Sequence, residues 1–226
     1  MSTNQKTALL IFANTSTKEA RLKPFFKSEA VFNTLNAEII TKVKNTNLPY
    51  FIVDENEQIG QTFGERYANA IQRIYNKGFD IVISVGNDTP QLKTSQILKA
   101  HSNVSEANYV LGPSHNGGFY LLALHKSNFN YNAFIKLPWQ TSAIRKSLQK
   151  HFLYNNTYTL LKYLKDLNTT LDLSCFTTLF SSISKQILVL ILQSLGFNRV
   201  YNTLAKFNIN PFILEFSFNK GSPTLA

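Results

Sequence analysis

The chain has 226 residues, of which 44% are hydrophobic. It can therefore bury a full core, and we expect one domain with an appendage rather than a disordered chain. Lys and Arg number 23 and Asp and Glu 13, so the formal net charge is +10. This balance favours an anionic partner such as a nucleotide, a sugar phosphate, a nucleic acid or a membrane surface, unless the basic face serves solubility alone. The single cysteine, Cys175, excludes an intramolecular disulfide and a thiolate metal cluster and fits a reducing compartment.

The apolar runs of the chain are short. Ala8–Ala13 lacks the length and the cleavage pattern of a signal peptide, and Ile187–Leu192 is far below the ~20 residues that a bilayer span needs. We therefore expect a cytoplasmic protein without a membrane span.

The first half of the chain alternates between strand and helix patterns. Apolar runs and helical spacing predict strand Thr7–Ala13, polar loop Asn14–Leu22, helix Ser28–Lys44, strand Leu48–Val53, a helix through Ala68 and Ile74 that ends at Gly78, and strand Ile81–Val85. This order predicts an α/β fold with a mostly parallel sheet built from crossover units.

Ile81–Val85 is the segment around which the prediction is organised. Its residues are apolar on both faces, which is typical of an interior strand covered by helices on both sides. Gly86 and Pro90 end the strand, so Asp88 lies just past its carboxyl end. Ligands bind at that edge of open α/β sheets. Asp88 is therefore a candidate to hold a metal or a substrate hydroxyl, or else a cap of the following helix.

The second half predicts a hairpin, a capped helix and a helical extension. The predicted elements are strands Ala107–Pro113 and Phe119–Leu124 joined by the turn Ser114–Gly118, a helix with Thr141 as its N-cap, an apolar segment Leu160–Leu164 followed by Asp166, an amphipathic helix Phe176–Leu195, and a strand-like piece Phe212–Phe216. The amphipathic helix is interpreted as a packing or dimer contact.

Three places offer ligand contacts on residue type alone. Lys18 and Arg21 lie in the loop that leaves the first strand, where phosphates are often bound, although two solvated charges are the alternative. Gly117 and Gly118 allow a ligand to approach the backbone closely. Trp139 serves either as a core residue or as a stacking surface for a ring.

Six motifs follow one another in the chain: Glu19–Leu22, Phe63–Arg66, Gly86–Leu92, Gly112–Leu121, Pro138–Thr141 and Asp166–Thr169. Together they resemble the GT-A-type glycosyltransferases associated with radical-SAM and selenium-domain proteins, a nucleotide-diphospho-sugar-transferase-like family similar to the guanylyl- and cytidylyltransferases of cofactor synthesis. The resemblance implies a Rossmann-like GT-A three-layer sandwich over residues 1–173. Residues 174–226 would then form a C-terminal helix and tail that pack on the domain or on a partner.

The resemblance also implies roles for individual residues. Asp88 would hold a Mg²⁺ or Mn²⁺ ion that neutralises a diphosphate leaving group, and Asp166 would be the second catalytic carboxylate. Arg21 would contact the phosphates. The residues implied in nucleotide or substrate binding are Lys18, Arg21, Arg66, Asn116, Gly117, Gly118, Trp139 and Thr141.

The sequence departs from the family pattern in its charges. Gln91, Asn116 and Asn168 stand where the pattern has Asp, and Glu19 stands where it has lysine. Each lost carboxylate weakens the binding of a hard divalent cation. We therefore expect nucleotide diphosphate binding that depends weakly on metal and strongly on salt, with slow turnover.

The function expected from these features is glycosyl transfer from a nucleotide sugar to a small-molecule acceptor. Nucleotidyl transfer at the α-phosphate and a catalytically degenerate nucleotide-binding protein are the alternatives, and a homodimer is left open. No motif and no stripe of basic and aromatic residues favours nucleic acid as a partner.

Overall fold

The computed structural model describes residues 5–152 and 157–197. The strands of this part of the chain are β1 (Thr7–Phe12), β2 (Tyr50–Val53), β3 (Ile81–Val85), β4 (Asn108–Pro113), β5 (Phe119–His125) and β6 (Thr157–Leu160). They form one sheet in the order β2-β1-β3-β5-β4-β6. Neighbouring strands are parallel except where β5 pairs with β3 and β4. The predicted α/β class and mostly parallel sheet are thus confirmed.

Helices cover the sheet and extend beyond it. The α-helices among the described residues are α1 (Ser16–Leu22), α2 (Ser28–Lys44), α3 (Phe63–Asn76), α4 (Thr94–Asn103), α5 (Tyr131–Ile135), α6 (Ile144–Phe152), α7 (Thr170–Thr178) and α8 (Lys185–Ser194). None of these helices combines the length and apolar character that crossing a membrane requires.

Both faces of the central strands are buried, as the continuous apolar pattern predicts. Successive residues of β1 alternate between two cores: Leu9 packs on the side of α2, and Leu10 packs on the side of α3. Each fully buried Leu or Ile side chain contributes roughly 1.5–3 kcal/mol to the free energy of folding. β3 lies between β1 and β5, so Ile81–Val85 is an interior strand.

The sheet topology decides which loops meet. β1, β3 and β4 run in the same direction and β5 runs against them. The carboxyl ends of β1 and β3, the β4–β5 turn and the start of β5 therefore lie at one edge. The loop after β1, the turn with Asp88 after β3 and the glycine turn after β4 are therefore gathered there.

The segment Asn14–Leu22 is helical where the sequence predicted a polar loop. Thr15 adopts an extended conformation, and its hydroxyl accepts a hydrogen bond from the backbone N–H of Lys18. This N-cap starts α1 at Ser16. The segment contains no glycine or proline to interrupt a helix. Because it is mostly polar, its sequence did not indicate that one face of a helix is buried here.

The predicted helix Phe176–Leu195 is divided into α7 and α8 by a short 3₁₀ turn, Phe180–Ser182. The break follows from Ser184, whose side chain accepts from the N–H of Ile187 and starts a new helix. Ile187 and Ile191 are buried in a cluster with Phe32 of α2. The strand predicted at Phe212–Phe216 lies outside the described residues.

Candidate functional site

A cleft of about 760 Å³ opens at the strand-end edge described above. Its lining comes from the end of β1, from α1, from the β2–α3 loop and from the turn after β3. The β4–β5 turn and Trp139 complete it. Among the residues implied by the motifs, those that line the cleft are Lys18, Arg66, Asp88, Gly118 and Trp139.

Helix α1 forms one wall of the cleft. Lys18, Glu19 and Leu22 line it, and Arg21 is not among the lining residues. The predicted contact between Arg21 and the phosphates stays a prediction, and Lys18, although its side chain is also exposed, is the cation of α1 that borders the cleft.

Glu55 fixes the start of α1 to the loop after β2. Its carboxylate accepts hydrogen bonds from the backbone N–H of Thr15 at 2.7 Å and from the Thr15 hydroxyl. Burial opposes the charge of Glu55, but the bonds from Thr15 outweigh it and hold the pKa of this carboxyl below its ordinary value. Glu55 thus acts as a clamp on the cleft wall.

Asp88 does not cap a helix, because α4 begins only at Thr94. Its carboxylate instead accepts from the Lys23 ammonium, with 2.8 Å between Oδ2 and Nζ. The same Nζ lies 3.2 Å from Oε2 of Glu19, one helical turn earlier in the chain. Burial alone would lower the pKa of Lys23, but the charges of Asp88 and Glu19 prevail and raise it. Lys23 is therefore a charged lysine held between two carboxylates.

Asp166 lies beside Asp88 in a different environment. Its Oδ1 accepts from the hydroxyls of Thr89 at 2.7 Å and of Ser114 at 2.9 Å, and its Oδ2 accepts from the Asn116 amide at 3.2 Å. Burial, followed by repulsion from Asp88, raises the pKa of Asp166 to about 6, although the two hydroxyl bonds and Lys23 act in the opposite direction. Asp166 is not part of the cleft lining itself.

As placed, these carboxylates do not fit a divalent metal. Across residues 5–152 and 157–197, no group of three or more His, Cys, Asp or Glu side chains converges on a position that could hold an ion. The ammonium of Lys23 stands against Asp88, and both oxygens of Asp166 already accept hydrogen bonds. The expectation that Asp88 holds Mg²⁺ or Mn²⁺ thus remains a prediction, and the arrangement of these side chains does not favour it.

The opposite wall of the cleft is aromatic. Trp139 packs against Phe63 with 5.6 Å between ring centroids and against Tyr67 with 5.4 Å. Its indole N–H donates to the Phe134 carbonyl at 2.8 Å. A Cβ on Gly64 would lie 2.5 Å from the indole, so only glycine allows this approach. Trp139 therefore belongs to the core and also presents a ring surface to the cleft.

Arg66 lies on the first turn of α3 and borders the cleft. Its Nε donates to Gln58 and its Nη1 to the Gln61 carbonyl, which fixes the guanidinium on the cleft wall. The helix start is itself stabilised by a capping box between Thr62 and Glu65.

The β4–β5 turn is closed on one side. A Cβ on Gly117 would lie 2.4 Å from the Ser142 carbonyl oxygen, so the missing side chain makes room for the backbone of Ser142 rather than for a ligand. Gly118 lines the cleft, with its N–H bonded to Asn116 at 2.9 Å. Thr141 is exposed, and its hydroxyl donates to the Pro138 carbonyl, while α6 begins only at Ile144. The Thr141 hydroxyl also accepts from the backbone N–H of Ala143 at 3.3 Å, so Thr141 caps the turn that leads into α6, two residues earlier than an N-cap of the helix itself.

Gln91, Asn116 and Asn168 are the neutral residues that stand where the family pattern has Asp. The side chains of two of them, Gln91 and Asn116, form hydrogen bonds with neighbouring segments. The amide of Gln91 donates to Ser182 at 2.8 Å and accepts from the Lys165 N–H at 3.2 Å. Asn116 bridges Asp166 and Gly118. Gln91 therefore ties the turn after β3 to the C-terminal helices.

Sequence reasoning missed Lys23, although part of its signal was present. Glu19 and Lys23 are four residues apart, the spacing of an ion pair on a helix, but this segment was predicted as a loop. The second partner, Asp88, is 65 positions away. No local pattern indicates that pairing.

Comparison with known proteins supports the fold. Residues 51–141 match the family described as "Uncharacterized protein conserved in bacteria (DUF2064)". The search of curated proteins gave no match.

Solved structures give a more extensive match. A crystal structure of a "putative nucleotide-diphospho-sugar transferase" from Desulfovibrio desulfuricans G20 has a TM-score of 0.70 at 19% identity and covers 84% of this chain and 98% of that chain. A glycosyltransferase involved in glycosylation of the major capsid of PBCV-1 matches with a TM-score of 0.46 at 9% identity, over 70% of this chain and 81% of that chain. A CMP:2-keto-3-deoxy-manno-octonic acid synthetase in complex with CTP gives 0.37 at 9% identity, over 78% and 99%.

The fold assignment rests on the first of these structures, which matches nearly the whole of its own length. It agrees with the order of motifs in the sequence and with the mostly parallel sheet. The chain therefore shares the α/β fold of that putative nucleotide-diphospho-sugar transferase, and its residues 51–141 match DUF2064.

Proposed function

We propose that this protein binds a nucleotide diphosphate sugar in the strand-end cleft and transfers the sugar to a small acceptor. The observation that carries the proposal is the cleft itself, which lies at the carboxyl ends of β1 and β3, where α/β folds bind ligands. Its volume of about 760 Å³ is within the range of small-molecule sites.

The walls of the cleft suit the two ends of such a ligand. Lys18 and Arg66 supply positive charge for a diphosphate, and the planar guanidinium of Arg66 matches phosphate geometry. Trp139 and Phe63 supply a ring surface against which a base or a sugar face can stack.

Asp166 is the side chain that we assign to proton transfer. Its pKa of about 6 lies near neutral pH, as an efficient general base requires. Because Asp166 lies beside the cleft and outside the lining that would hold the nucleotide, the proposed step places the acceptor hydroxyl between the sugar and Asp166; its oxygen bonds to the sugar carbon and its proton passes to Asp166. The bond between that carbon and the diphosphate breaks, and the diphosphate leaves with the electron pair.

The first experiment is a thermal-shift panel of nucleoside diphosphates and nucleotide sugars, each with and without Mn²⁺. A ligand that binds only the native state at 100 times its dissociation constant adds about 2.7 kcal/mol to the free energy of unfolding. We expect at least one nucleotide to raise the melting temperature, and Arg66→Ala to reduce that shift. A panel without any shift would contradict the proposal.

Two other functions use the same cleft. Nucleotidyl transfer would direct the attack to the α-phosphate, and products from a nucleotide labelled there would distinguish it from sugar transfer. A binding protein without turnover is favoured by the contacts of Gln91, which connect neighbouring segments through Ser182 and Lys165. In that case nucleotide would bind and no labelled product would form.

A further inference from the structure

Lys23 occupies an unusual position for a lysine. Its ammonium lies 2.8 Å from Asp88 and 3.2 Å from Glu19, and 5.2 Å from the ring centroid of Phe32. Only 17% of its side chain is exposed. Both carboxylate partners line the cleft. Lys23 itself is not a lining residue, so it supplies a fixed positive charge behind the two carboxylates that line the proposed phosphate site.

The burial of Glu19 explains why the positive charge of Lys23 is needed at this position. The side chain is 7% exposed, and its Oε1 accepts from Asn14 at 2.8 Å. Its Oε2 is buried without a hydrogen-bond partner among the described residues, apart from the ion pair with Lys23. Burying a carboxylate is costly unless an opposite charge compensates it. Asp88 and Glu19 thus converge on one cation, and that cation is Lys23.

A divalent ion and this ammonium compete for the same place. Hard divalent cations prefer carboxylate oxygens, and Asp88 is the carboxylate at the end of β3. An ion that coordinated Asp88 would lie close to the Lys23 ammonium and be repelled by it. The ammonium compensates one of the two negative charges of Asp88 and Glu19, and so reduces their repulsion of a diphosphate without any bound metal.

We propose that Lys23 is the resident cation of this cleft and replaces a divalent metal, so that a nucleotide diphosphate binds here without one. The nucleotide part of this inference rests on the proposed function. The exclusion of metal rests on the geometry of Lys23 alone, so the two parts are tested separately.

The first test measures Mn²⁺ binding alone, by electron paramagnetic resonance of the free ion. We expect no binding to the wild type below millimolar concentration, and Lys23→Met, which keeps an apolar chain beside Phe32, to bind at least ~10-fold more tightly because a repelling charge is removed. Lys42→Met is the matched control, since Lys42 is also paired with a glutamate, Glu38, and is not part of the cleft lining. It should bind Mn²⁺ no better than the wild type.

The result depends on folded protein, so circular dichroism accompanies each titration. Should Lys23→Met not fold, the wild type still decides the matter. Submillimolar Mn²⁺ binding to the wild type that Asp88→Asn abolishes would overturn the proposal. A folded Lys23→Met variant that gains no Mn²⁺ affinity would overturn it as well.

The second test uses calorimetry with the nucleoside diphosphate that gives the largest thermal shift. We expect the wild-type dissociation constant to change less than twofold between EDTA and Mn²⁺. In Lys23→Met we expect affinity in EDTA to fall at least ~10-fold and to recover partly with Mn²⁺. A wild-type affinity that falls tenfold in EDTA would contradict the metal-free site. If no nucleotide binds under either condition, the proposed function fails, and the Mn²⁺ titration still decides the role of Lys23.

Discussion

Asp88 and Asp166 are neighbours at the strand-end edge, and the backbone N–H of Leu167 donates to the Asp88 carbonyl at 2.7 Å. Their side chains are nevertheless held in different ways. Asp88 faces an ammonium, so its charge is compensated by Lys23. Asp166 faces two hydroxyls and an amide, which are neutral donors.

The difference shows how one fold gives two carboxylates different chemistry. Burial with neutral donors leaves much of the cost of ionising Asp166 in place. Asp166 consequently has its pKa raised to about 6, and repulsion from Asp88 contributes to this. Asp88 is suited to hold a cation in position, and Asp166 is suited to exchange a proton near neutral pH.

The largest expected effect is on turnover, and it distinguishes the proton-transfer role of Asp166 from a role in nucleotide binding. We expect Asp166→Asn to lower the turnover of the donor found in the thermal-shift panel by about 10²–10⁴-fold, the usual contribution of a general base. The dissociation constant of the nucleotide should change less than threefold, because Asp166 lies outside the cleft lining. Stopped-time assays and calorimetry on the same preparation measure the two quantities. A loss of binding that equals the loss of turnover would mean that Asp166 has a structural role.

The second effect concerns stability against pH. Because the pKa of Asp166 is about 6 in the folded protein and about 3.9 for an unperturbed Asp, the folded state holds a proton in this interval that the unfolded state has lost. The free energy of unfolding should therefore fall as pH rises from about 4 to about 6, by on the order of 2 kcal/mol for this group. Asp166→Asn should remove this slope in urea titrations at pH 4, 5 and 6.

Asp172 provides the opposite control. Burial acts against its charge, but bonds from Lys165, Asn168 and Thr169 lower its pKa. Its contribution to stability is thus present above the unfolded pKa and lost as pH falls. Asp172→Asn should therefore destabilise the protein more at pH 6 than at pH 4. The same slope in both variants would contradict the different environments of the two residues.

A smaller effect is expected from the donors around Asp166. Ser114→Ala removes the 2.9 Å bond to Oδ1, so the pKa of Asp166 should rise further. The loss of one hydrogen bond to a charged group costs about 1.5–3 kcal/mol, and we expect the lower end of this range at pH 8 and almost no cost at pH 4. Urea unfolding at both pH values measures it. The exposed Ser142, changed to Ala, serves as control and should show no pH-dependent difference.

The strands were predictable because the signal for them is local. Ile81–Val85 is an uninterrupted apolar run, and burial on both faces follows from its composition whatever the other strands do. The position of Asp88 at the strand end follows equally from the next few residues. The turn Ser114–Gly118 and its flanking strands were predicted for the same reason.

The site was only partly predictable because motifs fix the position of a residue and not the direction of its side chain. Lys18 and Arg66 reach the cleft as implied. Gly117 faces the backbone of Ser142 instead. The pairing of Lys23 with Asp88 depends on how α1 packs beside β3, and no pattern within either segment contains that information.

The smallest expected effect concerns α1, the segment that the sequence predicted as a loop and that the structure shows as a helix. Lys18 lines the cleft and Arg21 does not, although both side chains are exposed. Both carry a single positive charge on the same short segment, so Lys18→Ala and Arg21→Ala form a matched pair. At 0.15 M salt the Debye length is about 8 Å, so a charge that borders the cleft contributes more to ligand binding than one farther from the ligand. We expect Lys18→Ala to weaken nucleotide binding about two- to fivefold and Arg21→Ala to change it less than 1.5-fold. Calorimetry at 0.05 and 0.3 M salt measures both, and the difference should shrink at the higher concentration. A larger loss of nucleotide affinity in Arg21→Ala than in Lys18→Ala would contradict this expectation. It would indicate that α1 unwinds when the ligand binds and that Arg21 then makes the phosphate contact that the loop prediction implied.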